Sequence, residues 1–428
     1  MPSISDQDLS RLRANVEELS ALNEIAVAIN LSMSVEHITK IILDKCLLRV
    51  PASQGAVFLL EDASGDVPIF HTFLREISAS ADDLPLHLNW TLLGWIIKNR
   101  QILAINDTAT DGRFQGLDFK GIGINSVLAA PLIAQSGLIG ALVLFNKKTA
   151  AGFTSEEKRF LGIVGSQTAK VIENARLFEK ERKLLALEEE MKVARSIQKY
   201  YLPRSNLRTE HWEILGYNQP AKEVGGDYYD MFRISEDEVV ISIGDVAGKG
   251  IPAALLASEA QAVIRSLLQH NPKTSLTDLT RSLNKLFVEM TSPEQYITAF
   301  MAVYNSQSGF LNYVNAGHNQ PLLIHRDGRI KNLEGSNLVV GAVSDVDYSL
   351  QGQKLDRGDT LLLYTDGITE NFDPQGEEYG EGRLRELLYR QNGMPLEVIR
   401  DELIAQLTAF RKDSSQPDDI TFLTLRTQ

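Results

Sequence analysis

The stretch Gly225–Gly250, GGDYYDMFRISEDEVVISIGDVAGKG, decides how this chain is read. Two runs rich in aromatic and β-branched residues flank a polar turn from Ser235 to Glu238, the pattern of a β-hairpin. Asp227 and Asp245 stand equally far on either side of residue 236. Antiparallel pairing about that turn therefore brings both carboxylates to the same open end.

Further acids are expected at such an end. The apolar run LLLYT at 361–365 reads as a strand delivering Asp366 at its exit, and a strand beginning at Ile420 carries Asp418 and Asp419 at its entrance. If these two strands are antiparallel neighbours, their acids also meet at one rim. Taken singly, each Asp-Gly or Gly-Asp reads more readily as a turn. Together they make a cluster of like charge, which is tenable at neutral pH only with raised pKa values or bound cations. With carboxylates and no His or Cys companions the donors are hard oxygens, which favours Mg²⁺ or Mn²⁺ over zinc or copper.

The bulk composition narrows the class. The chain has 428 residues, 43% hydrophobic and 23% charged, with a net charge of -13, enough for several domains with full cores. The acidic balance and the lack of a basic face argue against nucleic acid as a partner. The single Cys46 excludes intrachain disulfides and thiolate zinc sites, and it reads as a buried small hydrophobe. The N-terminus MPSISDQDLSRLR has no basic segment followed by an apolar one, so no signal peptide is expected and the location expected is cytoplasmic. Ser126–Phe145 carries no charge over nearly a membrane span. Pro131 and the Gln135, Ser136, Gly137 turn split it into two strands, so a hairpin is expected and no membrane segment.

Along the chain, apolar residues recur at helical spacing from Asp8 to about Leu48 (Leu9, Leu12, Val16, Leu19, Leu22, Ile25, Ile29) and are followed by strands and helices to about Asn146. A long helix is expected from Glu156 to Tyr201, begun by the capping pattern TSEE at Thr154 and stopped by Pro203. Val164, Val171, Phe178 and Leu185 share one seven-residue repeat and Leu184, Met191 and, between them at heptad spacing, Leu187 and Ala194 share another, so the seam steps near Leu184; the helix reads as one strand of a parallel dimeric coil or as a solvated helix whose apolar residues lie on a neighbouring domain. Beyond His211, short strands alternate with helices over Ala253–Gln269, Leu276–Met290, Gly382–Tyr389 and Pro395–Phe410. That order suggests an α/β sandwich of mainly antiparallel sheets.

The motifs GGDYYD, GDVAGKGIPAALL, NAGHNQPLL, LLLYTDGITE and QPDDITFLTLR, in this order, resemble the SpoIIE-like (RsbU-like) branch of the PPM metal-dependent serine/threonine phosphatases over roughly residues 205–428. The resemblance implies that Asp245 bridges two metals, that the Val246 carbonyl, Asp366 and Asp418 add ligands, and that Asp227 completes the acidic cluster. Two such ions activate a water for attack on a phosphoester, with no covalent protein nucleophile. Lys249 does not belong to a P-loop, because GDVAGKG has the wrong spacing and ends in Gly; it sits at a helix start near the substrate phosphate or is merely solvated. His318 reads as a turn residue supporting its loop. The N-terminal half resembles a GAF domain through GWIIKNRQILAINDTATDGRF and GLIGALVLFNKKTAAGFTSEEKRFLGIVGSQTAKVIENARLF. Asn146, Lys147, Phe153 and Glu157 partly match the motif of cyclic-nucleotide GAF domains, with Lys158 where an acid would complete it.

The expectation is then an α+β multidomain chain: an N-terminal helix over 1–20, a GAF domain with an antiparallel sheet flanked by helices over 20–180, a long coiled-coil linker helix over 175–204 and a PPM-type α/β sandwich over 205–428. Its function would be a phosphatase needing two Mn²⁺ or Mg²⁺ ions, acting in trans on a phosphorylated partner such as a STAS-domain anti-sigma-factor antagonist. A small molecule or protein at the GAF domain would regulate a homodimer. The alternative is a non-catalytic GAF-based sensor and docking protein.

Overall fold

The structure is a computed structural model and describes residues 34–60, 70–76, 88–114, 123–203, 205–292, 294–412 and 414–428. The N-terminal helix expected over 1–20 lies outside these residues. Two compact units divide between Ala186 and Leu187.

In the first unit, helix α1 (Val35–Arg49) starts at Ser34, whose hydroxyl accepts from the His37 N–H. A five-stranded antiparallel sheet runs β2 (Phe70–Glu76), β1 (Ala52–Leu60), β5 (Gly137–Lys147), β4 (Val127–Ala134), β3 (Leu103–Ile105). Helix α2 (Leu88–Asn99) follows β2 in the chain. Alternation along β1 feeds two cores: Val57 and Leu59 pack with α1, and Ala56 and Phe58 pack with Leu92, Leu93 and Ile96 of α2. The uncharged run is the β4–β5 hairpin, as its turn residues required. Cys46 is fully buried, and burial pushes its thiol up to about 12.

Helix α3 (Ser155–Tyr201) spans 47 residues. Its first part belongs to the core of the first unit, which buries Phe160, Leu161, Val164, Ala169 and Ile172. The seam expected from Val164 onward is corrected here: Val164 is a core residue and Val171 packs partly against that core. Exposed apolar side chains begin at Leu177 and Phe178 and continue through Leu184, Leu185 and Leu187.

The second unit stacks two antiparallel sheets. One has the order β14 (Gln351–Lys354), β11 (Phe310–Ala316), β10 (Ile297–Asn305), β9 (Glu238–Val246), β8 (Asp227–Arg233). The other runs β13 (Ile330–Asn332), β12 (Leu322–Ile324), β15 (Thr360–Tyr364), β16 (Ile420–Thr427), β7 (Trp212–Gln219), β6 (Leu207–Arg208). Ile241, Ile243 and Phe300 of the first sheet meet Ile214, Leu361 and Leu423 of the second, all fully buried. Each such side chain contributes about 1.5–3 kcal/mol on burial. Helices α4 (Ile251–His270) and α5 (Leu276–Met290) cover the outer face of the first sheet. After the short α6 (Asp366–Thr369), α7 (Gly380–Arg390) and α8 (Leu396–Arg411) cover the second. Among the described residues α4 is long and apolar enough to cross a membrane by length and composition. Its Ala253, Ala257, Ala260, Ile264 and Leu268 are buried in the core beneath it.

Candidate metal centre

The hairpin register sets the site. Asp227 pairs directly with Asp245 across β8 and β9, so the two carboxylates leave the same face at the same end. Strands β15 and β16 are antiparallel neighbours with Tyr364 opposite Phe422, which puts Asp366, just past one strand, beside Asp418 and Asp419, just before the other. All the acids singled out in the sequence converge on one rim.

The neighbouring acids do not play the same part. Asp227 is buried, and that burial, then the nearby Asp245 and Asp419 carboxylates, hold it well above the ordinary aspartate range. It shares a hydrogen bond with Asp245. The Thr365 hydroxyl donates to Asp227 Oδ2 at 2.8 Å. Burial, then the charges of Asp366 and Asp418, push Asp245 up to about 7. Asp366 is raised by burial and by Asp418. Asp419 turns inward, where its Oδ1 accepts from the Ala221 N–H at 2.7 Å and its Oδ2 from the Asp227 N–H at 3.3 Å. It braces the loop ahead of β8. Asp418 stays half exposed at the rim.

Three glycines let these oxygens gather. A Cβ on Gly226 would lie 2.9 Å from the Val246 carbonyl oxygen and 3.5 Å from Asp245 Oδ1, so the bare backbone keeps open the approach to both atoms. On Gly225 a Cβ would fall 2.2 Å from Asp419 Oδ2, and on Gly367 1.9 Å from the Asp419 carbonyl. The Gly of Asp366-Gly367 is thus required by close packing of α6 on the Asp418–Asp419 strand.

Lys249 reaches back across the rim to Asp418. Its Nζ lies 2.7 Å from Asp418 Oδ2 and donates to the Pro417 carbonyl at 2.9 Å. The hydrogen bond to Asp418 raises the ammonium above its ordinary value. His318 is buried: Nδ1 meets Thr298 Oγ1 at 2.9 Å, its N–H donates to Asn315 Oδ1, and burial pushes the imidazole down to about 4. It supports the loop, as expected for a turn histidine.

As the side chains stand, no three His, Cys, Asp or Glu groups among the described residues are gathered closely enough to grip one ion. The donor set nonetheless fits hard divalent cations: carboxylates of Asp245, Asp366 and Asp418, a Val246 carbonyl beside the bare backbone of Gly226, and raised pKa values at Asp245 and Asp366. The Lys249 ammonium on Asp418 partly offsets the like charge. Sequence reasoning did not single out Thr365, nor Glu370, which burial and then Asp366 raise above the usual glutamate range. It also missed Arg265, which pairs with the buried Asp230 beneath α4. A hydroxyl beside a strand end or an arginine one helix away carries no signal until the tertiary contact is known.

The Stage II sporulation protein E (SpoIIE) family matches residues 235–428, and the GAF domain family matches residues 32–173. The chain is 32% identical over 187 residues to phosphoserine phosphatase RsbU of Bacillus subtilis, covering 43% of this chain and 54% of that protein. It is 29% identical over 264 residues to protein IcfG of Synechocystis sp., covering 55% of this chain and 41% of that one. The chain thus spans about half the length of the curated relatives it matches. Among solved structures, the SiaA-PP2C domain of Pseudomonas aeruginosa superposes with a TM-score of 0.51 at 22% identity, over 57% of this chain and 99% of that one. That is a likeness of fold.

Proposed function

We propose, for a chain that carries a GAF domain followed by a SpoIIE-type domain, a metal-dependent serine/threonine protein phosphatase acting in trans on a phosphorylated signalling partner of the STAS anti-sigma-factor-antagonist type. The observation that carries this reading is the Asp227–Asp245 pair at the same rim as Asp366 and Asp418, a gathering of carboxyls in which burial and neighbouring acids raise Asp227, Asp245 and Asp366. Asp245, the Val246 carbonyl, Asp366 and Asp418 would hold two Mn²⁺ or Mg²⁺ ions. Such ions would supply an activated water and offset the charge of a phosphate ester.

The chain's own residues then have distinct duties. Asp227 positions Asp245 through its hydrogen bond and is itself fixed by Thr365. Asp419 holds the Ala221–Asp227 loop, and with it the start of β8. Lys249, half exposed, is the cation placed to meet a substrate phosphate once Asp418 engages a metal. The phosphoserine substrate class draws support from the name of the RsbU relative. The exposed Leu177, Phe178, Leu184, Leu185 and Leu187 along α3 support a homodimer paired through that helix; the chain would act in the cytoplasm, with a small molecule or protein at the GAF domain regulating it. In the GAF unit, the Asn146, Lys147 and Glu157 side chains are consumed by structure: Asn146 holds the Gly123–Asn125 loop and Lys147 pairs with Glu157.

The test is hydrolysis of p-nitrophenyl phosphate with Mn²⁺. Turnover is expected, EDTA or Asp366→Asn should abolish it, and thiol alkylation should leave it intact because Cys46 is buried. No turnover in the wild type, or turnover indifferent to both EDTA and Asp366→Asn, rejects the reading.

A further inference from the structure

The second sheet has an open edge close to the carboxylate rim. Strand β7 pairs with β16 along its whole length, yet on its other side β6 covers only Glu213 and Ile214. Among the described residues no strand pairs with the remainder, Leu215 to Gln219. This is about 17 Å of edge.

The register tells which backbone groups face the opening. The Thr365 N–H donates to the Thr421 carbonyl at 3.0 Å, so Thr421 turns its backbone polar groups toward β15. Its partner across the ladder, Asn218, then turns its own N–H and C=O away from β16, as does Gly216 two residues earlier. Trp212 obeys the same alternation, since its carbonyl accepts from the Thr209 N–H at 2.8 Å on that side.

Gly216 and Asn218 line a groove of about 630 Å³ whose opposite wall is the end of α3, with Arg195 and Lys199 one helical turn apart. The groove leads to the rim. Gln416 Nε2 donates both to the Gln219 carbonyl at 2.9 Å and to the Asp418 carbonyl at 2.8 Å, and the Ala221 N–H just past β7 holds Asp419. In a chain of net charge -13 this wall is locally basic. Arg195 meets Glu223 at 3.2 Å in an exposed pair, which is weak enough for an incoming acidic group to displace.

We propose that this edge receives an extended acidic segment of the phosphoprotein substrate as an added strand, bonded to Gly216 and Asn218, with Arg195 and Lys199 meeting its charge and its phosphorylated residue led toward Asp418. The proposal rests on the phosphatase reading above. It places substrate selection on a sheet edge, separate from the metal ligands.

The test titrates metal-free, full-length protein into a fluorescein-labelled acidic peptide bearing one phosphoserine, with binding read as anisotropy. Asn218→Pro removes an edge N–H that takes no part in the β16 ladder, and Lys199→Glu reverses charge on the wall. Each should weaken peptide binding about tenfold. In Lys199→Glu, hydrolysis of p-nitrophenyl phosphate, too small to reach the edge, should stay within about twofold of wild type. Unchanged peptide binding in both variants overturns the proposal. So does loss of both readouts in Asn218→Pro while Lys199→Glu changes neither. If Asn218→Pro alters only self-association in sedimentation, the groove belongs to a second copy and the proposal falls. Anisotropy requires no turnover, so edge-dependent peptide binding without any hydrolysis would remove the phosphatase reading while leaving the edge assignment standing.

Discussion

The Lys147–Glu157 pair of the first unit and the Asp227–Asp245 pair of the second both bury ionisable side chains next to a strand, and they are treated in opposite ways. Lys147 on β5 is almost fully buried against Glu157 on α3, and its ammonium also lies 5.8 Å from the centre of the Phe153 ring. Glu157 further accepts from the Thr154 N–H at 3.0 Å while Thr154 Oγ1 accepts from the Glu157 N–H, a closed capping box. Every charge there has its partner inside the protein. At the second pair the neighbours are more acids, the Thr365 hydroxyl donates to Asp227, and the cation at the rim is the half-exposed Lys249 on Asp418. A cluster that balances itself is finished as structure; one left with surplus charge is built to receive a cation from outside.

The contrast breaks most severely at the balanced pair. Glu157→Gln leaves Lys147 buried without its counter-charge and should cost about 3 kcal/mol. Calorimetry of the full chain should show one lowered transition, that of the first unit. A change below about 0.5 kcal/mol would mean that the pair is not the internally closed one described.

The surplus cluster should respond with the opposite sign. Asp245→Asn removes a like charge, so the metal-free protein should gain a few degrees in Tm at pH 8. The pH dependence follows from the raised carboxyl. With a folded-state value of about 7 against an ordinary value near 3.8, the folded protein binds the extra proton across that window. Stability of the metal-free wild type should therefore fall as pH rises from about 4 to 7 and then level off. In Asp245→Asn the slope over that window should be shallower. Equal slopes in both proteins would show that the cluster carries no strained charge.

The smallest effect is expected on α3. Leu187→Glu places a charge among its exposed apolar side chains and should raise the sedimentation dimer constant by about tenfold, with little change in folding stability. A monomer at all micromolar concentrations in the wild type would leave that helix a spacer.

The pairing of Asp227 with Asp245 was legible because both lie equally far from a recognisable turn, and period-two alternation then fixes their face. Asp366 and Asp418 were legible as strand ends. Asp419 was not separable from Asp418 by pattern, since adjacent residues at a strand entrance point to opposite sides and the sequence does not say which side holds the site. Lys249 was placed near the site, but its hold on Asp418 joins residues 169 apart in sequence and depends on how two sheets stack. The linker seam was read too early. Val164 and Val171 share its seven-residue spacing, and that spacing does not distinguish a helix facing a second copy from one facing its own domain core.

Titration of Mn²⁺ into the metal-free full-length protein, followed calorimetrically, tests the central claim most directly. Saturable binding to the wild type is expected, accompanied by a rise in Tm and lost in both Asp245→Asn and Asp366→Asn. Absence of binding to a folded wild type, or binding that survives both substitutions unchanged, would contradict the assignment of the carboxylate rim as a cation site.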